Sequence, residues 1–447
     1  MKTKEEQYRM MTEMPVRKLI PRLATHTIIS MMTSAVYNAV DTWFVSRLGD
    51  SATAAIGICL PVTAMIQAIG FWIGMGAGSN ISRFLGRRHI FKANIIATSS
   101  LVLGFLFSIL LGVFGFLCDE PFMRFLGSTP TILPFAKTYS NVILMGAPFA
   151  VMGFVLNNVL RSQGRAIFAM LGIASGAVIN IVLDPLLIYT CNMGIAGAAL
   201  ATNICQLTSF SVMFLSLRSS KSMINLRFKY LSKNIGVFLL VISTGLPSLF
   251  RQGCSAIATI LLNRAGAAYG DAAVAAMSIV GRVNFLITSI VGGFGQGYQP
   301  VVGFAYGAKI FQRVRQAYRF SLVICLTIMI IGGLCCIVFA ENIVTLFRAE
   351  SPRVIEIGAE TFVFYGLALP FNSVIILTNM LLQVTGQKLM ASVTSVMRQG
   401  VVFIPLILIL PHFIGLKGVE MCQPISDAVS AVVAMSVAIY FFKKLPK

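Results

Sequence analysis

Acidic residues are scarce: Asp and Glu together number 15 in 447 residues, and all charged residues make up 11%. A soluble domain typically carries about a quarter charged side chains, so this composition excludes one. Histidine is scarcer still. His26, His89 and His412 stand far apart. With no DDxxD run and no His–Asp constellation, the chain offers no basis for an intramembrane prenyl- or acyltransferase. The nine cysteines are scattered, with one adjacent pair at Cys335 and Cys336, and show neither CxxC nor metal spacing. Their expected role is that of small buried apolar side chains. No enzymatic activity and no cofactor is expected.

Hydrophobic residues, by contrast, make up 57% of the chain, and its mean hydropathy is +0.85. Apolar runs of about 20 residues, enough to cross a hydrocarbon core as a helix, recur along its length. They predict twelve helices, over 15–46, 52–80, 93–116, 131–160, 167–190, 196–217, 235–263, 272–300, 317–340, 353–383, 389–410 and 417–442. Without water to satisfy exposed backbone, only continuous helices suit such a chain. The formal net charge of +20 invites a nucleic-acid reading, but its distribution follows the positive-inside rule. With the N-terminus in the cytoplasm, 26 of the 35 basic residues fall inside, among them Lys2, Arg83, Arg87, Arg88, Lys221, Lys309 and Lys447, and 7, including Arg124 and Arg348, fall outside. Both termini are therefore expected in the cytoplasm, and no nucleic-acid partner is expected. Residues 1–14 lack a cleavable signal pattern, so the first apolar run should persist as a helix.

A polar, basic stretch divides the predicted helices six and six. The expected units are an N-terminal bundle over 1–217, a cytoplasmic linker over 218–234 and a C-terminal bundle over 235–447. Internal repetition sharpens that division. A shift of 221 lays Gly49-Asp50 on Gly270-Asp271; a shift of 222 lays Pro148-Phe149 on Pro370-Phe371, Asn157 on Asn379 and Gly164 on Gly386. Gly74-x-Gly76-x-Gly78 answers to Gly293-x-Gly295-x-Gly297. Six helices per half make the repeats parallel, related by a pseudo-twofold axis along the membrane normal, the plan of an alternating-access transporter. The small-residue runs are expected to let helices pack closely.

Three acidic residues fall clearly inside predicted helices: Asp41, Asp184 and Asp427. A carboxylate at membrane depth is costly and marks a functional site. Asn180 and Asp184 are four apart and so share one helix face. A carboxylate with an amide beside it and hydroxyls such as Thr202 nearby can hold a proton or a small hard cation. The second half differs. Arg251, Arg282 and Arg398 lie in or at the ends of its helices, and an Asp–Arg pair is the expected state of Asp427. Gln252 stands in its first helix, and no carboxylate is expected within its fourth (353–383).

The motifs Tyr37-Asn38-x-x-Asp41-x-x-Phe44-Val45, Asn157-x-x-Leu160-Arg161-x-x-Gly164, Asn180-Ile-Val-Leu-Asp184-Pro185, Gly194-Ile-Ala-Gly197 running to Thr202, and Gly297-Tyr-Gln299-Pro300-x-x-Gly303-x-x-Tyr306-Gly307 resemble those of the multidrug and toxic compound extrusion (MATE) family. The resemblance implies an all-α membrane protein with two six-helix bundles. It would expel bulky, mostly cationic aromatic drugs in exchange for H⁺ or Na⁺. It further implies that Asp41, Tyr139, Asn180, Asp184 and Thr202 converge in the N-terminal bundle. Asn157 is added as a sixth coupling candidate, and Tyr37, Asn38, Gln252 and Arg398 as candidate lining of the substrate cavity. If Na⁺ is the coupling ion, Asp41, Asn180 and Asp184 are its expected ligands. The family commonly has a proline fifteen residues before the aspartate of its first helix; this sequence has His26 there. The runner-up is a flippase for a lipid-linked anionic sugar, kept alive by the arginines of the second half. A multi-pass protein of the plasma (inner) membrane, in contact with lipid and working as a monomer, is expected.

Overall fold

The computed structural model describes residues 4–219, 222–347 and 351–446, without the side chain of Asp50. Lys2, Lys221, Arg348 and Lys447 of the charge distribution lie outside the described residues. Within them the chain is helical and contains no strand. The helices are α1 (Lys4–Glu13), α2 (Val16–Ser46), α3 (Asp50–Gly86), α4 (Ile90–Leu117), α5 (Asp119–Phe125), α6 (Leu133–Ser162), α7 (Ala166–Pro185), α8 (Gly194–Arg218), α9 (Ile235–Ala267), α10 (Asp271–Gly307), α11 (Phe311–Val338), α12 (Ala340–Phe347), α13 (Pro352–Thr385), α14 (Lys388–Val396), α15 (Phe403–Ile414) and α16 (Leu416–Lys444). Two π-helical segments interrupt this pattern. Leu186–Thr190 continues α7, and Met397–Val402 joins α14 to α15.

Among the described residues, eleven helical segments are long and apolar enough to cross a membrane. The twelfth long helix is α2. Its 31 residues span about 46 Å at 1.5 Å per residue, and Arg17, Lys18, Arg22 and Asp41 dilute its hydropathy. Each of the twelve predicted runs thus lies in a long helix. Three short helices, α1, α5 and α12, were not foreseen, because none carries an apolar run. The helices α3 and α10 also extend beyond their predicted ends at 80 and 300, to Gly86 and Gly307.

The repeat is written in the backbone. Gly49 and Gly270 precede α3 and α10 with φ of 112° and 98°, Arg88 and Lys309 follow them with 59° and 62°, and Gly164 and Gly386 close α6 and α13 with 76° and 85°. Positive φ at matched positions is costly for anything but glycine, so the paired glycines mark one turn made twice.

The chain forms two compact units. The first comprises Met1–Glu13 and Ile29–Gly245, the second Met14–Ile28 and Leu246–Lys447. This differs from a division at 218–234. The long helices α2 and α9 each pass from one unit into the other, so the break in polarity is not the break in packing.

Within the first unit, α3 lays Gly70, Gly74 and Gly78 against α6, where a Cβ would come within 2.7 Å of Phe154, 2.6 Å of Asn158 and 3.3 Å of the Asn158 carbonyl. Small residues let the two backbones approach. On another face of α3, a Cβ on Gly76 would run into the Val241 carbonyl, and one on Gly245 into that of Trp72. Trp72 Nε1 donates to the Ile242 carbonyl at 2.9 Å. We expect Gly245→Val to destabilise the purified protein by roughly 1–3 kcal/mol or more, the usual cost of overpacking. Gly57→Ala should be nearly silent, because no atom lies within 4 Å of its added Cβ. Thermal unfolding in detergent distinguishes the two.

In the second unit, Gly293 and Gly297 of α10 play the same part against the beginning of α2, each within 3 Å of Ile28 or Ala24 backbone when given a Cβ. Thr27 Oγ1 donates to the Gly293 carbonyl at 2.5 Å. The helix α2 continues through His26, whose Nδ1 lies 2.7 Å from the Arg22 carbonyl.

Candidate functional site

Positions 172, 176, 180 and 184 recur every fourth residue and therefore share one face of α7. The first two are glycines. A Cβ on Gly172 would overlap the Met213 side chain, and one on Gly176 would lie 2.7 Å from the Cys205 carbonyl. The helix α8 therefore packs hard against this face. Continuing along it come Asn180 and Asp184, 1% and 0% exposed, with Asn180 Nδ2 donating to Asp184 Oδ1 at 3.1 Å.

Asp184 is followed by Pro185, which has no N–H to continue the helical ladder. The backbone widens at once into the π segment Leu186–Thr190, closed by Cys191 N–H donating to the Leu186 carbonyl at 2.9 Å. Such segments are frequent at functional sites. This one also fastens α2. Tyr189 Oη donates to the Phe44 carbonyl at 2.6 Å, and their rings meet edge-on with centroids 6.4 Å apart. Phe44 lies three residues beyond Asp41, so the clamp brings the Asp41 carboxyl within hydrogen-bonding reach of Asp184.

Around this pair stand Tyr139, buried at 5% exposure, and Tyr37, both within electrostatic reach of Asp41. Three oxygens of the cluster, Asp41 Oδ1, Asn180 Oδ1 and Asp184 Oδ2, are buried with no hydrogen-bond donor among the described residues. Buried polar atoms are nearly always paired, so three unpartnered acceptors on these neighbouring side chains call for a positive partner. A proton shared by the carboxyls or a small oxygen-seeking cation would satisfy them. Among the described residues no group of three or more His, Cys, Asp or Glu side chains could hold a metal ion.

Five of the expected residues thus gather: Asp41, Asn180, Asp184, Tyr139 and Tyr37. Asn38, exposed on α2, hydrogen-bonds Tyr37 at the edge of the group. Thr202 is half-buried, three positions before Cys205 on α8, and makes no hydrogen bond among the described residues. Asn157 is a correction. Its amide faces the Met213 thioether at 4.0 Å, because the face of α6 it occupies looks to the C-terminal part of α8. Its repeat counterpart Asn379 binds the Ala391 carbonyl, Thr394 and Ser395 at 2.8, 3.0 and 2.6 Å. Both are buried amides joining helices. Cys205 was missed: 3% exposed, it lies within electrostatic reach of Asp184 and Asp41. Its place one turn from Thr202 was the available signal.

The second unit carries a different network. Asp427, 2% exposed, pairs with Arg398 through Nε–Oδ1 at 2.6 Å and Nη2–Oδ2 at 3.3 Å, as expected of an Asp–Arg pair at depth. It also accepts from Asn372 at 3.0 Å and Gln423 at 2.7 Å. Arg398, foreseen as cavity lining, is thereby committed in part to Asp427, while Gln252 is half-buried on α9. Three acidic residues in long helices proved too few. Glu356 and Glu360 lie in α13, where no carboxylate was expected, and Glu420 lies in α16, 1% exposed. Glu360 pairs with Lys417 at 2.8 Å.

The MatE family pattern matches residues 27–186 and 246–409. A multidrug export protein of Staphylococcus saprophyticus, MepA, is 26% identical over 435 residues, covering 97% of this chain and 95% of the relative. Among solved structures, the outward-facing form of a multidrug resistance MATE family transporter of the MOP superfamily aligns with a TM-score of 0.93 at 26% identity, covering 100% of this chain and 99% of the other. A MOP superfamily transporter from Pyrococcus furiosus, described as having a binding pocket of reverse polarity that suggests a different function, aligns equally well, with a TM-score of 0.93 at 26% identity and full coverage of both chains.

Proposed function

Because the chain belongs to the MatE family of multi-pass membrane transporters, we propose that it is a secondary active multidrug efflux antiporter, expelling bulky, mostly cationic aromatic compounds in exchange for H⁺ or Na⁺ by alternating access. The observation that carries this reading is the buried set of unpartnered oxygens on Asp41, Asn180 and Asp184 in a chain with few other carboxylates. A group that takes up and releases a cation each cycle needs such acceptors. The names of the MepA relatives support drug export, and the resemblance supports coupling in the N-terminal unit. With Na⁺, Asp41, Asn180 and Asp184 would be its ligands; with H⁺, the two carboxyls would carry the proton, Tyr139 and Thr202 lending hydroxyls nearby.

The charge distribution supports cytoplasmic termini; a plasma-membrane location, contact with the surrounding lipid and a working monomer complete the proposal. The test is efflux of a fluorescent cationic dye from proteoliposomes under an imposed pH gradient, then under an imposed Na⁺ gradient. Dye movement with one gradient and not the other identifies the ion. A protein that moves no dye under either contradicts the proposal and turns attention to lipid-linked anionic sugars.

A further inference from the structure

At the C-terminal end of α16 the second unit holds a cavity of about 140 Å³. Its walls include Tyr306 from α10, Phe311 from α11, Gln387 and Met390 at the start of α14, and Tyr440 and Lys444 from the last turns of α16. The internal repeat explains why this corner is open. The shift that lays Gly164 on Gly386 also lays Arg165 on Gln387 and Phe168 on Met390. In the first unit Arg165 Nη1 donates to the Ser216 carbonyl at 3.0 Å, and its guanidinium lies 4.2 Å from the centre of the Phe168 ring. A long cation and a ring fill the corner there. In the second unit a shorter amide and a thioether take their places, and the Gln387 side chain makes no hydrogen bond among the described residues.

The wall that carries the charge is held in place. Arg315 Nη2 donates to the carbonyls of Phe442 and Leu445 at 3.2 and 2.8 Å, and Leu445 is buried, which pins the backbone on either side of Lys444. Lys444 Nζ rests 4.4 Å from the centre of the Tyr440 ring. Residues 272–340, 361–419 and 428–447, which supply these walls, contain no Asp or Glu, so the ammonium has no carboxylate in them to pair with. Tyr306, Tyr440 and Gln387 add two hydroxyls and an amide to the lining.

Size and charge select the occupant. At 10–15 Å³ for each water-sized group, the cavity takes roughly ten heavy atoms, the size of a phosphodiester with a glycerol attached. One ammonium beside neutral hydrogen-bonding groups complements a single negative charge flanked by hydroxyls. The charge distribution turns this basic end of the unit towards the cytoplasm, where anionic lipid headgroups attract it. Leu389 and Ile439, next in sequence to Met390 and Tyr440, are exposed apolar side chains and offer acyl chains a surface.

We propose that this cavity binds the headgroup of an anionic phospholipid of the phosphatidylglycerol type, with Lys444 on its phosphate. The site is one for a resident lipid and does not depend on the efflux reading.

The experiment is native mass spectrometry of the full chain in detergent, titrated with phosphatidylglycerol or with phosphatidylcholine of the same acyl chains. Wild type is expected to take up one phosphatidylglycerol at concentrations about tenfold below those phosphatidylcholine needs, the scale of one charge-assisted contact. Lys444→Gln should remove most of that preference and Lys444→Arg should keep it. Lys443→Gln changes an exposed neighbour outside the cavity lining and should shift the preference less than twofold, because about 0.15 M salt screens charges more than about 8 Å away. Equal losses for Lys443→Gln and Lys444→Gln would assign the binding to diffuse charge and overturn the site, as would a wild type without preference. Displacement of the lipid by an equal concentration of soluble glycerol phosphate would make this a site for a free phosphate ester and overturn the lipid. If Lys444→Gln is not recovered folded, Gln387→Leu replaces it: a loss of about threefold for phosphatidylglycerol alone is expected, and an unchanged preference overturns the proposal.

Discussion

Asp41→Asn is expected to cut gradient-driven dye efflux by roughly 5- to 150-fold, the range spanned by a coupling free energy of 1–3 kcal/mol. The amide has nearly the same shape as the carboxylate and can still meet Asp184, so the cluster should keep its packing. What it loses is the ability to alternate between charged and neutral. An ion can shift the balance of two conformations only by as much as its affinities for them differ. With one of the two carboxylates made an amide, the site holds one charge fewer to bind proton or Na⁺, its affinity differs less between the two states, and the gradient drives the cycle weakly.

Stability separates this explanation from a purely structural one. Asp41 Oδ1 and Asp184 Oδ2 lack donors among the described residues, and two carboxylates in contact repel when both are ionised. Asp41→Asn supplies a donor and removes a charge, so the purified variant should melt at the wild-type temperature or above it. A variant that transports like wild type would remove Asp41 from the coupling machinery. One that loses transport and melts well below wild type would make Asp41 a structural lock between α2 and α7.

The sequence announces Asp41 and Asp184 as residues but does not announce their meeting. Each long helix follows from an apolar run, and the repeat from matched glycines, because both are local properties. The contact between the carboxylates depends on the Tyr189–Phe44 clamp and on a π turn after Pro185, which no hydrophobic periodicity encodes. The same holds for α1, a polar helix held by remote contacts. Gln7 Nε2 donates to the Gln163 carbonyl at 2.9 Å, Tyr8 Oη to the Gly86 carbonyl at 3.1 Å, and Glu5 pairs with Arg88 at 3.1 Å. Asn157 misled for a related reason. A buried amide reads the same whether it faces a carboxylate or a thioether, and only the rotation of α6 decides.

Asp427→Ala should behave in the opposite way. It removes the carboxylate that pairs with Arg398, whose side chain is 20% exposed, and leaves that guanidinium without it. Breaking one side of a buried ion pair costs about 3–5 kcal/mol, because the remaining charge stays desolvated. The variant should therefore melt far below wild type or resist purification. Replacing both partners, with Asp427→Ala and Arg398→Met together, is expected to restore most of the loss, since neither charge then remains to be solvated. A double variant as unstable as the single one would show that Asn372 and Gln423, rather than the charge pair, depend on Asp427. If stability returns and the cationic dye is still pumped, the pair is a structural joint between the π segment and α16. Two intramembrane aspartates would then divide by the sign of their effects: losing the charge of Asp41 spares the fold and stops the pump, while losing that of Asp427 strikes the fold first.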